Sequence, residues 1–170
     1  MWNIRVRQKR QRGRRPIPSR EVRTMKIFCD TNIITEFLEK RDQYQAVAQI
    51  LNNASADNGL YISEGGFYTM TYLVDHQLRR MEIHNPERLE KERKILLRIL
   101  STFHVASAMK GGLWQGVQDN RFKDLEDSYQ YQVAIECGAD VLLTINIKDF
   151  KDVSSGSLKI MTPQEYIVSL

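Results

Sequence analysis

Met25-Lys26-Ile27-Phe28-Cys29-Asp30-Thr31-Asn32-Ile33-Ile34 is a short, nearly all-apolar run that ends on a carboxylate and then changes period. A continuous apolar run of this length suits a strand buried on both faces. Thr31 or Asn32 can cap a helix beginning there, with Ile33, Ile34, Phe37 and Leu38 on its buried stripe. The order strand, acid, helix is therefore written into ten residues.

The same alternation runs outward from this stretch. A second helix is expected over about 43–52, Asp57-Asn58-Gly59 has turn chemistry, and Leu60–Ile62 reads as strand two. Ser63 can cap a buried helix from about Gly65 to Arg80. Asn85-Pro86 starts a helix to Leu100, with the proline at its first position. Phe103–Ala106 is a third strand, and Gly111-Gly112 interrupts a weak helix around Ser107–Val117. A helix over Asp124–Cys137 is ended by Gly138. Val141–Thr144 and Lys159–Met161 are strands four and five, and Thr162-Pro163 opens the last helix. Strands alternating with helices require a parallel sheet covered on both faces, an α/β domain over 25–170.

Four aspartates stand where strands give way to helices or loops: Asp30, Asp124, Asp127 and Asp149. In an open parallel sheet, ligands bind beyond the carboxyl ends of the strands. Asp124 and Asp127 share one helix face by their i, i+3 spacing, and if strands one and four are neighbours all four acids reach one cleft. Singly, each has an ordinary role: Asp30 as a helix cap, Asp124 and Asp127 at the positive end of a helix dipole, Asp149 closing a helical turn. Together they repel, and an acid-only set suits a hard cation such as Mg2+ or Mn2+. Glu126 is expected to point away from Asp124 and Asp127 into solvent. Thr31, Asn32, Ser63, Thr144 and Asn146 are short polar residues at strand ends that can hold the acids or bound water.

Composition narrows the class. The chain has 170 residues, 42% hydrophobic and 27% charged, enough for one domain with a real core. No apolar run is long enough to span a bilayer. Cys29 and Cys137 sit in apolar contexts without a CxxC pair, and His76, His84 and His104 lack ligand spacing. Reduced thiols in a cytoplasmic protein are expected, and zinc is disfavoured. Residues 1–24 hold nine of the 25 basic side chains and one of the 21 acidic ones, so 25–170 is mildly acidic with 16 basic against 20 acidic. That arm, with Trp2, Pro16 and Pro18, is expected to be disordered. It is either an electrostatic tether for nucleic acid or a solvated tail upstream of a true start at Met25.

The motifs bring a family into view. Phe28-Cys29-Asp30-Thr31-Asn32, then Asp124-Leu125-Glu126-Asp127-Ser128-Tyr129-Gln130-Tyr131 with Ala134, Gly138, Ala139 and Asp140, carry the resemblance. Leu143-Thr144-Ile145-Asn146-Ile147-Lys148-Asp149-Phe150 and Met161-Thr162-Pro163-Gln164-Glu165-Tyr166 complete it. Together they make residues 25–170 resemble the PIN domain, the ribonuclease fold of VapC-like toxins and several RNA-processing enzymes. The resemblance implies a three-layer α/β/α domain with a five-stranded parallel sheet ordered 3-2-1-4-5. It implies Asp30, Asp127 and Asp149 as ligands of Mg2+ or Mn2+, with Asp124 as an added acid.

The implied activity is metal-dependent cleavage of single-stranded or structured RNA by water, leaving a 5′-phosphate and a 3′-hydroxyl. The implied partners are an antitoxin protein and a second copy of the chain. Two departures stand out: the acid usual on the helix after strand two falls at Thr69, with Glu64 as a nearby substitute, and the arginine often found after the strand-four threonine is Ile145. Both put full activity in doubt, and the missing acid at Thr69 together with the basic arm favours an alternative, a PIN-like scaffold that binds RNA or protein with impaired catalysis. A phosphoacceptor receiver-like domain shares the parallel sheet but lacks the paired acids near strand one and the strand-end lysine followed by proline.

Overall fold

The computed structural model describes residues 25–54, 58–151, 153 and 156–170. The reading of the basic arm at 1–24, and Asp57 of the turn, lie outside the described residues. The elements run β1 (Met25–Cys29), α1 (Thr31–Leu38), α2 (Tyr44–Asn53), β2 (Asn58–Ser63), α3 (Glu64–Arg80), α4 (Glu87–Thr102) and β3 (His104–Ala106). They continue as α5 (Lys110–Gln118), α6 (Leu125–Glu136), β4 (Val141–Leu143), a short 3-10 helix (Ile147–Phe150), β5 (Lys159–Met161) and α7 (Pro163–Val168). The five strands form one sheet ordered β3-β2-β1-β4-β5, every pair parallel. The expected order is the observed one.

Side-chain alternation along the strands divides the core in two. Ile27 and Cys29 of β1, Leu60 and Ile62 of β2, and Val141 and Leu143 of β4 pack with Ile33, Val47, Met70, Ile99 and Tyr166 from α1, α2, α3, α4 and α7. Phe28 and Leu142 face the other way, against Tyr131, Val133 and Ala134 of α6 and Phe122 and Phe150. Because β1 and β4 are clothed on both faces, their runs are apolar without alternation. The result is a three-layer α/β/α domain.

Three local expectations change. The cap of α1 is Asp30, not Thr31 or Asn32, and its carboxylate makes no capping bond to the helix. Pro86 is the residue before α4 rather than its first helical residue. Most informative, α5 runs through Gly111 and Gly112 without a break. Glycine costs about 1 kcal/mol in a helix, but here it permits close approach to α6. A Cβ on Gly116 would stand 2.8 Å from the ring of Tyr129, and one on Gly112 would collide with the Glu136 carboxylate. Ser128 donates to the Gly116 carbonyl at 2.9 Å, and the Met109 N–H donates to Glu136 at 2.9 Å. These contacts fasten α5 along α6.

Alanine should therefore have opposite effects at two glycines of one helix. Gly116→Ala should destabilise by about 1–3 kcal/mol through overpacking. Gly111→Ala, with nothing within 4 Å of the added carbon, should stabilise by about 0.5–1 kcal/mol through propensity alone. Urea unfolding of both variants measures the difference in sign.

Candidate active site

The register of the sheet assembles the site. Ile27, Phe28 and Cys29 pair with Val141, Leu142 and Leu143, and the Asp30 N–H continues the ladder to the Leu143 carbonyl at 3.0 Å. Asp30 and Thr144 thus leave neighbouring strands side by side. Their parity is that of Phe28 and Leu142, so both side chains rise on the face that α6 covers. On β2 the same parity belongs to Tyr61 and Ser63. Asp127 and Gln130 lie on the buried side of α6 opposite them.

Asp30 is buried and held by donors. The Thr144 hydroxyl donates to its Oδ2 at 2.8 Å, and the Asn32 amide donates to the same oxygen. Thr144 Oγ1 accepts in turn from Asn32 Nδ2 at 3.1 Å and the Asn146 N–H at 3.0 Å. Asn32 Oδ1 accepts from the Ile145 N–H at 3.2 Å. Burial pushes the Asp30 carboxyl up to about 6, the Thr144 hydrogen bond opposes it, and the Glu126 charge adds to it.

Asp127 is buried at the N-terminal turn of α6, and no described group donates a hydrogen bond to its carboxylate. Its carboxyl is pushed up to about 7 by burial first, then by the charges of Asp30, Asp124, Asp149 and Glu126. The other three aspartates, with Glu126, thus all bear on Asp127. Asp124 caps α6, accepting from the Glu126 N–H at 2.7 Å. Asp149 rides on the short 3-10 helix, which buries Phe150 against Phe122.

The other candidate positions divide. Asn32, Thr144 and the Asn146 backbone join the network around Asp30, whereas the Thr31 hydroxyl bonds Glu126 and Gln130. Ser63 caps α3 through the Gly66 N–H and donates to Gln130 Oε1, both at 2.8 Å. Glu64 is exposed and turned elsewhere, accepting from Ser107 at 2.8 Å and Tyr68 at 3.2 Å.

Two residues that sequence reasoning passed over stand here. Glu126 is exposed, as expected, and its carboxylate accepts from the Thr31 hydroxyl at 3.4 Å. Gln130 Nε2 donates to Thr31 Oγ1 at 2.9 Å. A helical-wheel argument separates positions 126 and 127 by about 100°. However, Asp124 lies before the helix proper, and first-turn side chains lean toward the N-terminus, so the charges of both Asp124 and Glu126 bear on Asp127. The i, i+4 spacing of Glu126 and Gln130 was the available signal.

Among the described residues, no three His, Cys, Asp or Glu side chains stand close enough to enclose a metal ion as they are. Nor does any described basic side chain form an ion pair with Asp30, Asp124, Glu126, Asp127 or Asp149. The carboxylates of Asp30, Asp124, Asp149 and Glu126 bear on Asp127, and no described basic side chain is paired with any of them. Their all-oxygen, anionic character fits a hard divalent cation, and Asp127, free of donors, is the least satisfied of them without one.

The raised carboxyls make metal-free stability depend on pH. In the folded chain Asp30 and Asp127 keep protons up to about 6 and about 7, whereas the unfolded chain releases them near about 4. The folded state therefore binds more protons between those values, and stability falls as pH rises through them. In EDTA, the melting temperature should be higher at pH 5 than at pH 8. Asp127→Asn should flatten that slope and raise the melting temperature at pH 8; thermal unfolding across the range measures both.

No protein-family model and no curated protein sequence matches the chain. Solved structures do match it. VapBC-1 from nontypeable Haemophilus influenzae superposes with a TM-score of 0.60 at 17% identity, covering 82% of this chain and 99% of that one. DNA-bound VapBC from Salmonella typhimurium gives 0.58 at 15% identity, with 82% and 98% covered. A toxin–antitoxin complex from Klebsiella pneumoniae gives 0.54 at 19% identity, with 81% and 97% covered. At these identities the likeness is one of fold. With its parallel 3-2-1-4-5 sheet clothed by helices on both faces, the segment from β1 to α7 has the PIN-domain fold.

Proposed function

We propose that this chain is a Mg2+- or Mn2+-dependent endoribonuclease acting on single-stranded RNA, and the toxin of a toxin–antitoxin pair. The observation that carries the reading is the convergence of uncompensated carboxylates on Asp127 at the carboxyl ends of β1 and β4. The shared fold with VapBC structures and with a toxin–antitoxin complex supports it.

Asp30, Asp127 and Asp149 would hold the cation, with Asp124 beside them. The cation would supply Lewis acidity toward a phosphate oxygen and toward an attacking water. Thr144 and Asn32 fix the Asp30 carboxylate by donating to Oδ2. The Asp127 carboxyl is pushed up to about 7. It would give up any proton it holds when a cation binds, so divalent affinity should rise with pH through that value. Lys123 and Lys148, exposed beside the acids in sequence, offer charge to a phosphate backbone.

An antitoxin segment would block the acidic cleft, and α1 presents further contact surface. A groove of about 360 Å3 runs over its apolar stripe, lined by Ile33, Ile34, Phe37, Leu38, Ile95 and Ile99. Exposed Leu113, Trp114 and Val117 on α5, with Met109 just before it, favour a homodimer. Among the described residues no helix is long and apolar enough to cross a membrane, in keeping with action on cytoplasmic RNA. A second reading, a binding scaffold with impaired cleavage, is favoured by the absence of an acid at Thr69.

Labelled single-stranded RNA should be cut in Mg2+ or Mn2+ and not in EDTA. Asp30→Asn and Asp127→Asn should lose at least about 100-fold in rate while remaining folded. No cutting by folded, Mn2+-bound wild type would favour the scaffold. Expression in bacteria should arrest growth, and co-expression of the adjacent open reading frame should relieve the arrest. Growth unaffected in both cases would remove the toxin assignment.

A further inference from the structure

The first turn of α3 abuts the cleft. Ser63, which ends β2 and caps α3, donates to Gln130 Oε1 at 2.8 Å, and Gln130 Nε2 donates at 2.9 Å to Thr31, the neighbour of Asp30. Gly66 permits that approach, since a Cβ there would stand 3.1 Å from Thr31 Oγ1. From this point the 17 residues of α3 lead away from the acids, over a length of about 25 Å.

Beyond Glu64 and Gly65 of that first turn, the exposed residues of α3 are Tyr68, Tyr72, His76, Arg79 and Arg80, with no aliphatic side chain among them. Tyr68 and Tyr72 are 65% and 68% exposed, so neither ring serves the core. The rings recur every four residues, about 6 Å apart along the axis, on one gently turning stripe. Both are held in place. The Tyr68 hydroxyl donates to Glu64 Oε1 at 3.2 Å, and Tyr72 stacks on His76 with centroids 6.1 Å apart and planes 25° apart. Cations close the stripe. Asp75 beside it pairs with Arg79 at 2.7 Å and with Arg88 at 3.0 Å, so one carboxylate stands against those two guanidiniums and that of Arg80.

We propose that this stripe of α3 is a stacking platform for single-stranded RNA: bases of a strand crossing the cleft rest on Tyr68 and Tyr72, and Arg79 and Arg80 meet its phosphates. A ring face stacks on any base, and guanidiniums match phosphate oxygens. The exposed faces of α4 and α5, by contrast, are aliphatic at Leu97 and Leu100 and at Leu113 and Val117, chemistry that suits a protein partner. The platform carries the substrate path from the Asp30 side of the cleft along α3. Rings already held by Glu64 and His76 lose little freedom when a base stacks on them. The inference rests on the reading of the substrate as single-stranded RNA; it does not depend on that RNA being cut.

The test is fluorescence anisotropy of a labelled single-stranded RNA of mixed sequence, about 12 nucleotides long, titrated with the full chain in EDTA. An abasic strand of the same length is the second probe. Tyr68→Ala and Tyr72→Ala should each weaken RNA binding by about 10-fold, and both together by more. Tyr72→Phe should recover the affinity that Tyr72→Ala loses, because the ring and not the hydroxyl is used. The abasic strand should bind wild type more weakly than RNA does, and neither alanine should change its affinity. Arg80→Gln should weaken both probes alike. Wild-type affinity for RNA in the double alanine variant would overturn the proposal. So would equal losses on RNA and on the abasic strand, or no RNA binding by wild type. Sedimentation of the same variants covers the other occupant: a dimer that the alanines dissociate would assign this face to a second copy and overturn the platform. RNA binding with the expected losses, but no cleavage in Mg2+ or Mn2+, would remove the ribonuclease reading alone and leave the platform standing.

Discussion

The parallel pairing of β1 with β4 is the constraint on which the rest of the site depends. It matches Ile27, Phe28 and Cys29 to Val141, Leu142 and Leu143, so Asp30 and Thr144 emerge together, 114 residues apart in sequence. A slip of one residue would send one of them to the opposite face. The register is protected by core packing, because Phe28, Leu142 and Leu143 are fully buried and have nowhere else to go.

Around that pair the fold works against itself. Burying Asp30 and crowding Asp127 with like charges holds both carboxyls well above their ordinary range. Asp30 is compensated by hydroxyl and amide donors, whereas Asp127 is left to its neighbours' charges. Uncompensated repulsion of this kind is a cost to the fold. The hydrophobic layers on either side of the sheet supply the stability that offsets it.

Much of the architecture was readable because parallel sheets demand it. The apolar runs at Ile27–Cys29 and Val141–Leu143 required helices on both faces, and the alternation of strands with amphipathic segments followed. Caps were less readable, since Asp30, Thr31 and Asn32 are all good cap residues. The capping position went to Asp30, whose carboxylate is drawn away to Thr144. The helix at α5 was read as interrupted because propensity counts each glycine as a cost. The compensating contacts to Tyr129 and Glu136 come from a different helix.

Glu126 and Gln130 mark the same boundary within the site. In sequence, Glu126 is one more charged residue on a helix, and Gln130 one more polar one. Only the approach of α6 to the first turn of α1 and to the end of β2 gives them Thr31 and Ser63 as partners. The sequence by itself determined the α/β class, the strand-end aspartates and their hard-cation character, because local apolar period and residue chemistry are properties of short stretches. The tertiary structure alone decided that Asp30 and Thr144 stand side by side, that Asp127 lacks a donor among the described residues, and that Thr31 bridges Glu126 and Gln130. Those are matters of distance between segments some 100 residues apart, set by strand register and helix packing.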